Sequence, residues 1–239
     1  MTYLRRKIDA FLEQWKSDSG KKPLIVKGSR QVGKTESIRR FGFANYDSVI
    51  EINFVEEPKY KSIIEDGYSA ASIVRNISLL DPAKRFVEGK TLLFFDELQE
   101  FPEIATALKF FKQDARFDVI CSGSMLGINY QRIESNSVGH KTDFEMRSLD
   151  FEEFLWAKGY DDSIVDEMLT HLIEARPFTN VQHKALMDVF LDYCALGGMP
   201  DVVRSYIDRN TFEGSLQTQR QLVLDYREDI QKYAEGLDK

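Results

Sequence analysis

Cysteine and histidine are scarce. Two cysteines and three histidines occur among 239 residues. Cys121 and Cys194 lie far apart, as do His140, His171 and His183. No spacing fits a zinc site or a disulfide framework, so a reducing compartment is expected. Positive charge is also in short supply. With 32 Lys and Arg against 39 Asp and Glu, the formal net charge is −7, which argues against a broad nucleic-acid surface in this segment. The short basic patches LRRK and IRR read as solvated helix faces. No apolar run approaches the 18 or so residues that span a bilayer. The opening MTYLRRKIDAFLEQWKSD is charged throughout, unlike a signal peptide. A cytoplasmic protein with no membrane partner is the expectation.

Composition is otherwise ordinary for a globular chain, at 43% hydrophobic and 30% charged, and 239 residues can bury a sizeable core. Leu4, Ile8, Phe11, Leu12 and Trp15 recur at helical spacing. LIVKG (24–28) is a short apolar strand feeding a glycine-rich loop, and a helix opens at Gly33, Lys34 and Thr35, running to about Phe41. SVIEINF (48–54) alternates as a strand, with helical stretches around 58–66 and 70–80. TLLFFDE (91–97) and DVICSGS (118–124) are nearly continuous apolar runs with polar ends, the pattern of strands buried on both faces. KTDFEMRSL (141–149) reads as a fifth strand, and GINYQRIESNSVG (127–139) as a surface loop at the functional edge. From Phe151 onward every segment is helical in period. The expectation is an α/β sheet domain over 1–150, then a helical subdomain over 151–239.

GSRQVGKT, Gly28 to Thr35, matches G-x-x-x-x-G-K-[ST] between a strand and a helix. Gly28 and Gly33 allow the backbone of Ser29, Arg30, Gln31 and Val32 to curl with N–H groups pointing inward at phosphate oxygens, and the helix start adds its dipole. Lys34 would reach the β- and γ-phosphates, and Thr35 would offer a hydroxyl to Mg²⁺. Asp96 ends a buried strand expected beside that loop, where it would hold Mg²⁺ directly or through water; Glu97 follows, placed to polarise an attacking water. Ser122, or failing that Ser124, could bond the γ-phosphate or the water, or the serines and Gly123 could simply make a tight turn. Arg30 could touch a phosphate or brace the loop against an acid. Phe151, Phe154, Leu155 and Trp156 read as packing of the helical part onto the sheet. Asp162 or Ser163 is expected to cap the helix that follows. GGMP (197–200) reads as a helix stop, with a hinge as the alternative.

The Asp-Glu pair and the polar end of the next strand resemble the AAA+ ATPases. GSRQVGKT, FFDELQ, CSGS, SLDFEEFL and GGMPDVV together resemble bacterial and archaeal AAA-type ATPases grouped near the STAND NTPases and archaeal ATPases. The resemblance covers nearly the whole chain. It implies a P-loop NTPase fold: a five-stranded parallel sheet flanked by helices, with the phosphate-loop strand central, and an α-helical lid. It implies ATP and Mg²⁺ as cofactors, with Lys34, Thr35, Asp96 and Glu97 in the roles above and Ser122 near a sensor position. It also implies continuation into a winged-helix and nuclease-like region that would engage a protein or DNA partner, with a homo-oligomer possible. The chain departs from the pattern at His140, where such proteins often carry arginine; Arg132 and Arg147 are possible substitutes. Ser148 stands where proline is usual. The expected activity is ATP hydrolysis by a switch or motor module, slow in isolation. A nucleotide-gated module with little hydrolysis and a P-loop phosphotransferase are the alternatives.

Overall fold

The computed structural model describes residues 3–124 and 139–237. The expected loop over 127–139, save Gly139, and Arg132 lie outside them. Contacts divide the chain into two units: Ile8–Met146, and a second made of the residues up to Lys7 with those from Arg147 onward.

The first unit holds β1 (Leu24–Gly28), β2 (Ser48–Asn53), β3 (Thr91–Asp96), β4 (Asp118–Ser124) and β5 (Thr142–Glu145). All pair in parallel, in the order β2-β3-β4-β1-β5. The middle strand is therefore β4, not the phosphate-loop strand β1, and β4 separates β1 from β3. That order comes from how the crossovers pack, which no local pattern encodes. Alternation along each strand feeds two apolar layers. Leu24, Val26, Leu92, Phe94 and Ile120 face one side. There α1 (Lys7–Ser17) buries Ile8, Leu12 and Trp15, and α2 (Lys34–Asn45) buries Ile38 and Phe41. Ile25, Leu93, Phe95, Val119 and Cys121 face the other, covered by α3 (Ala70–Leu80) and α4 (Leu108–Asp114). Each large side chain so buried contributes roughly 1.5–3 kcal/mol, and both layers together hold the strand ends in a fixed register.

Two expected elements differ in detail. The segment over 58–66 is a 3₁₀ helix, Pro58–Ile64: Tyr60 N–H bonds the Glu57 carbonyl and Glu65 N–H the Ser62 carbonyl, the i−3 pattern of a tight turn. The fifth strand ends at Glu145. One more bond continues it, from Met146 N–H to the Lys27 carbonyl at 2.7 Å, after which the chain enters the second unit.

The second unit is helical: α5 (Phe151–Ala157), α6 (Asp162–Ile173), α7 (Asn180–Leu196), α8 (Pro200–Arg209) and α9 (Phe212–Leu237). Phe154 and Leu155 are buried with Leu149, Leu196, Val202 and Val203. The rings of Phe151 and Phe154 pack on Phe190, Tyr193 and Tyr206, so this aromatic cluster forms the helical unit's own core. The residues up to Lys7 join it because Leu4 enters that core and Arg6 pairs with Glu153 at 3.1 Å, both nearly inaccessible. Glu153 is fixed in turn by a capping box with Asp150 at the start of α5. Asp161, one residue earlier than expected, caps α6 through Ser163 N–H.

GGMP has a sharper reason than a helix stop. Gly197 caps α7 with φ 69°, and Pro200 opens α8. A Cβ on Gly198 would lie 1.9 Å from the Leu149 carbonyl oxygen, and Leu149 N–H bonds the Gly198 carbonyl at 2.7 Å. The SLDFEEFL and GGMP segments thus meet backbone to backbone, an approach that only glycine permits.

Candidate functional site

The carboxyl ends of β1, β3 and β4 bring the sequence-selected residues together. Gly28 ends β1 beside Ser124 of β4. A Cβ on Gly28 would meet the Met146 carbonyl oxygen at 2.0 Å, so this glycine lets the end of β5 close against the loop. Val32 is buried among the apolar side chains under α2 and pins the loop's middle, while Ser29 and Gln31 are exposed above it. Gln31 and Gly33 take positive φ, 62° and 94°, and that curl turns the chain into α2. Lys34 curls back so that its ammonium donates to the Gly28 and Ser29 carbonyls at 3.1 and 2.6 Å. Burial lowers its pKa from the usual lysine range; Glu97 and Asp96 oppose that shift and the Arg30 charge adds to it. Arg30 thus places a second positive charge within reach of the first.

Thr35 lies in the first turn of α2, after β1, which β4 separates from the strand of Asp96, yet its hydroxyl donates to Asp96 Oδ2 at 3.0 Å. Asp96 is only 4% exposed. Its other oxygen, Oδ1, accepts from Glu97 N–H at 3.0 Å and from the Ser122 hydroxyl. Three donors satisfy a buried charge that would otherwise cost several kcal/mol. Ser122 is fully buried and spends its hydroxyl on bracing Asp96.

The chain turns sharply after Asp96. Glu97 adopts φ 56° and ψ 48°, left-handed backbone that costs a non-glycine residue roughly 1–3 kcal/mol and is concentrated at functional sites. The turn lifts the Glu97 carboxylate out of the strand direction. There it accepts a hydrogen bond from Gln99 Nε2, while Gln99 Oε1 accepts from Ser124 N–H at 3.0 Å. Gln99 was not selected from the sequence. The available signal was a polar residue two positions past Glu97 in a stretch otherwise going into the core.

Gly139 and His140 precede β5, whose first residue, Thr142, pairs with Leu24. They thus sit at the sheet edge opposite the phosphate loop. Arg147 belongs to the helical unit, where its carbonyl accepts from Arg6.

A hydroxyl and a carboxylate in contact are the hard oxygen donors that suit Mg²⁺, which takes one or two protein oxygens and completes its shell with water and phosphate. No cluster of three or more His, Cys, Asp or Glu suited to a metal occurs among the described residues, and such a Mg²⁺ site needs none. The donor set fits the ion.

Comparison with known proteins gives a family for the chain. The family described as "AAA domain" matches residues 20–155, over half of the chain. No curated protein matches the sequence. Among solved structures, C. elegans PCH-2 is similar at 10% identity and a TM-score of 0.39, over 72% of this chain and 47% of that one. Drosophila ORC bound to DNA is similar at 12% identity and a TM-score of 0.46, over 90% of this chain and 66% of that one. The chain therefore spans about half the length of the first and just under two thirds of the second. None of the described helices is long and apolar enough to cross a membrane.

Proposed function

This chain belongs to the AAA domain family, a nucleotide-binding, ATPase-like module, and from that footing we propose that it binds ATP with Mg²⁺ and hydrolyses it as a slow conformational switch. The observation that carries the reading is the contact between Thr35 and Asp96, 61 positions apart and joined at 3.0 Å across β4. A strand end used for capping alone would not need a partner at the start of α2. In this reading the N–H groups of residues 29–35 cradle the phosphates. Lys34 exchanges its bonds with the Gly28 and Ser29 carbonyls for phosphate oxygens. Thr35 and Asp96 would hold Mg²⁺, which would supply positive charge to the phosphates. Asp96 keeps its orientation through Ser122. Glu97 accepts a proton from the water that attacks the γ-phosphorus, and the leaving ADP carries off the negative charge. A protein partner or self-assembly would supply an arginine in trans, worth about 10³–10⁵ in turnover, and a DNA partner would act by organising that assembly. A cytoplasmic setting fits the sparse cysteine.

If the bond from Gln99 withholds Glu97 from water instead of aiming it, the chain is a nucleotide-gated module with little hydrolysis. Phosphate release by wild type and Glu97→Gln, across protein concentration and with and without DNA, separates the two. The ATPase reading expects release that Glu97→Gln abolishes and that rises with concentration or DNA. No release under any condition, with ATP still bound, would replace it with the gated module.

A further inference from the structure

We infer that Gln99 is the positioning residue for Glu97, a clamp that ties the water-activating carboxylate to the end of β4. The inference rests on the ATPase reading of the same site. Gln99, in the short 3₁₀ turn Leu98–Glu100, is 3% exposed, although a glutamine is ordinarily solvated. Both ends of its amide are engaged, and chemistry fixes which way round. Ser124 N–H can only donate, so it faces Oε1, at 3.0 Å. The Glu97 carboxylate can only accept, so it faces Nε2. Gly123 makes the room, since a Cβ there would stand 3.0 Å from Gln99 Oε1. A strand residue, an amide and a carboxylate are thereby linked in series. That series ends at Ser124, which pairs with Gly28, the first residue of the phosphate loop.

The clamp holds Glu97 Oε2 and leaves Oε1 to take the proton of the attacking water. A base on a left-handed turn without such support would sample several rotamers, and a mispositioned group loses much of its effect. Because Ser124 lies beside Gly28, a shift of the phosphate loop reaches Glu97 through one side chain.

Two variants test this. Gln99→Met keeps the volume and loses both bonds. Gln99→Glu keeps an acceptor for Ser124 N–H but sets a second carboxylate against Glu97. In both, kcat should fall about ten-fold or more, a part of the 10²–10⁴ that a placed base supplies, while KM for ATP and calorimetric ATP affinity stay within about two-fold. Amide exchange at Ser124, followed by NMR without nucleotide, should quicken in Gln99→Met and stay near wild type in Gln99→Glu. Wild-type kcat in folded Gln99→Glu would reduce Gln99 to a brace for Ser124 and sink the inference. So would unchanged Ser124 exchange in Gln99→Met. Equal losses in kcat and affinity would point to a collapsed site and overturn it too. If wild-type protein releases no phosphate at all, the ATPase reading itself falls first, and the clamp with it.

Discussion

Gly28→Ala isolates one physical demand of the phosphate loop. The added Cβ would sit 2.0 Å from the Met146 carbonyl oxygen and 3.1 Å from its carbon. Both atoms are backbone, so no rotamer change relieves the clash. The end of β5 must retreat by about 1 Å to restore ordinary contact, an overpacking cost of about 1–3 kcal/mol. The retreat also stretches the bond from Met146 N–H to the Lys27 carbonyl, 2.7 Å in the wild type, worth about 0.5–1.5 kcal/mol. Together these give about 2–4 kcal/mol, or a fall in Tm of about 5–15 °C for a domain of this size. The two tryptophans allow the sheet unit to be watched alone, because Trp15 lies in it and Trp156 in the helical unit. In a Trp156→Phe background, Trp15 fluorescence should report the full shift. An alanine variant melting within about 2 °C of its parent would refute the reasoning, because the close approach of β5 would then carry no weight.

The helical unit offers a parallel case: Gly198→Ala, with a Cβ 1.9 Å from the Leu149 carbonyl, should lower the Trp156-reported transition while leaving the Trp15 transition in place. Tyr60 is fully buried, and burial, aided by Glu57 and Asp81, raises its pKa to about 12. Its neutral form is therefore favoured in the folded state, so the stability it supports is present below pH 10 and lost as pH rises from about 10 towards 12; Tyr60→Phe should flatten that alkaline decline in chemical denaturation. Asp96→Ala removes the acceptor shared by Thr35, Ser122 and Glu97 N–H. ATP affinity in this variant should lose its Mg²⁺ dependence, checked by titration in Mg²⁺ and in chelator.

Much of this could be read from local pattern. GSRQVGKT sits between a strand and a helix, and the continuous apolar runs TLLFF and DVIC identify strands covered on both faces. Either face of those strands meets its own helical layer, which is why they show no polar alternation. What escaped the sequence depends on distant backbone. The placing of β4 between β1 and β3 is one case; Gly198 against Leu149 is another, where a helix stop and a close approach use the same glycine. The bond from Ser122 to Asp96 requires the two strands to be neighbours in register, and the Gln99 clamp requires the left-handed turn at Glu97. Neither geometry has a signature in residue spacing. The aromatic run at 151–156 was legible as core, but its partners are Phe190, Tyr193 and Tyr206, residues that only the folded helical unit brings near.

The account depends on a phosphate cradle closed by Lys34 at one end of β1 and served across β4 by Asp96. Calorimetric titration of Mg²⁺–ATP into wild type and Lys34→Ala tests it most directly. One nucleotide should bind per wild-type chain, with affinity at least about ten-fold weaker in the variant, a loss of about 1.4 kcal/mol. Absence of heat in the wild type, or equal affinity in both proteins, would contradict it.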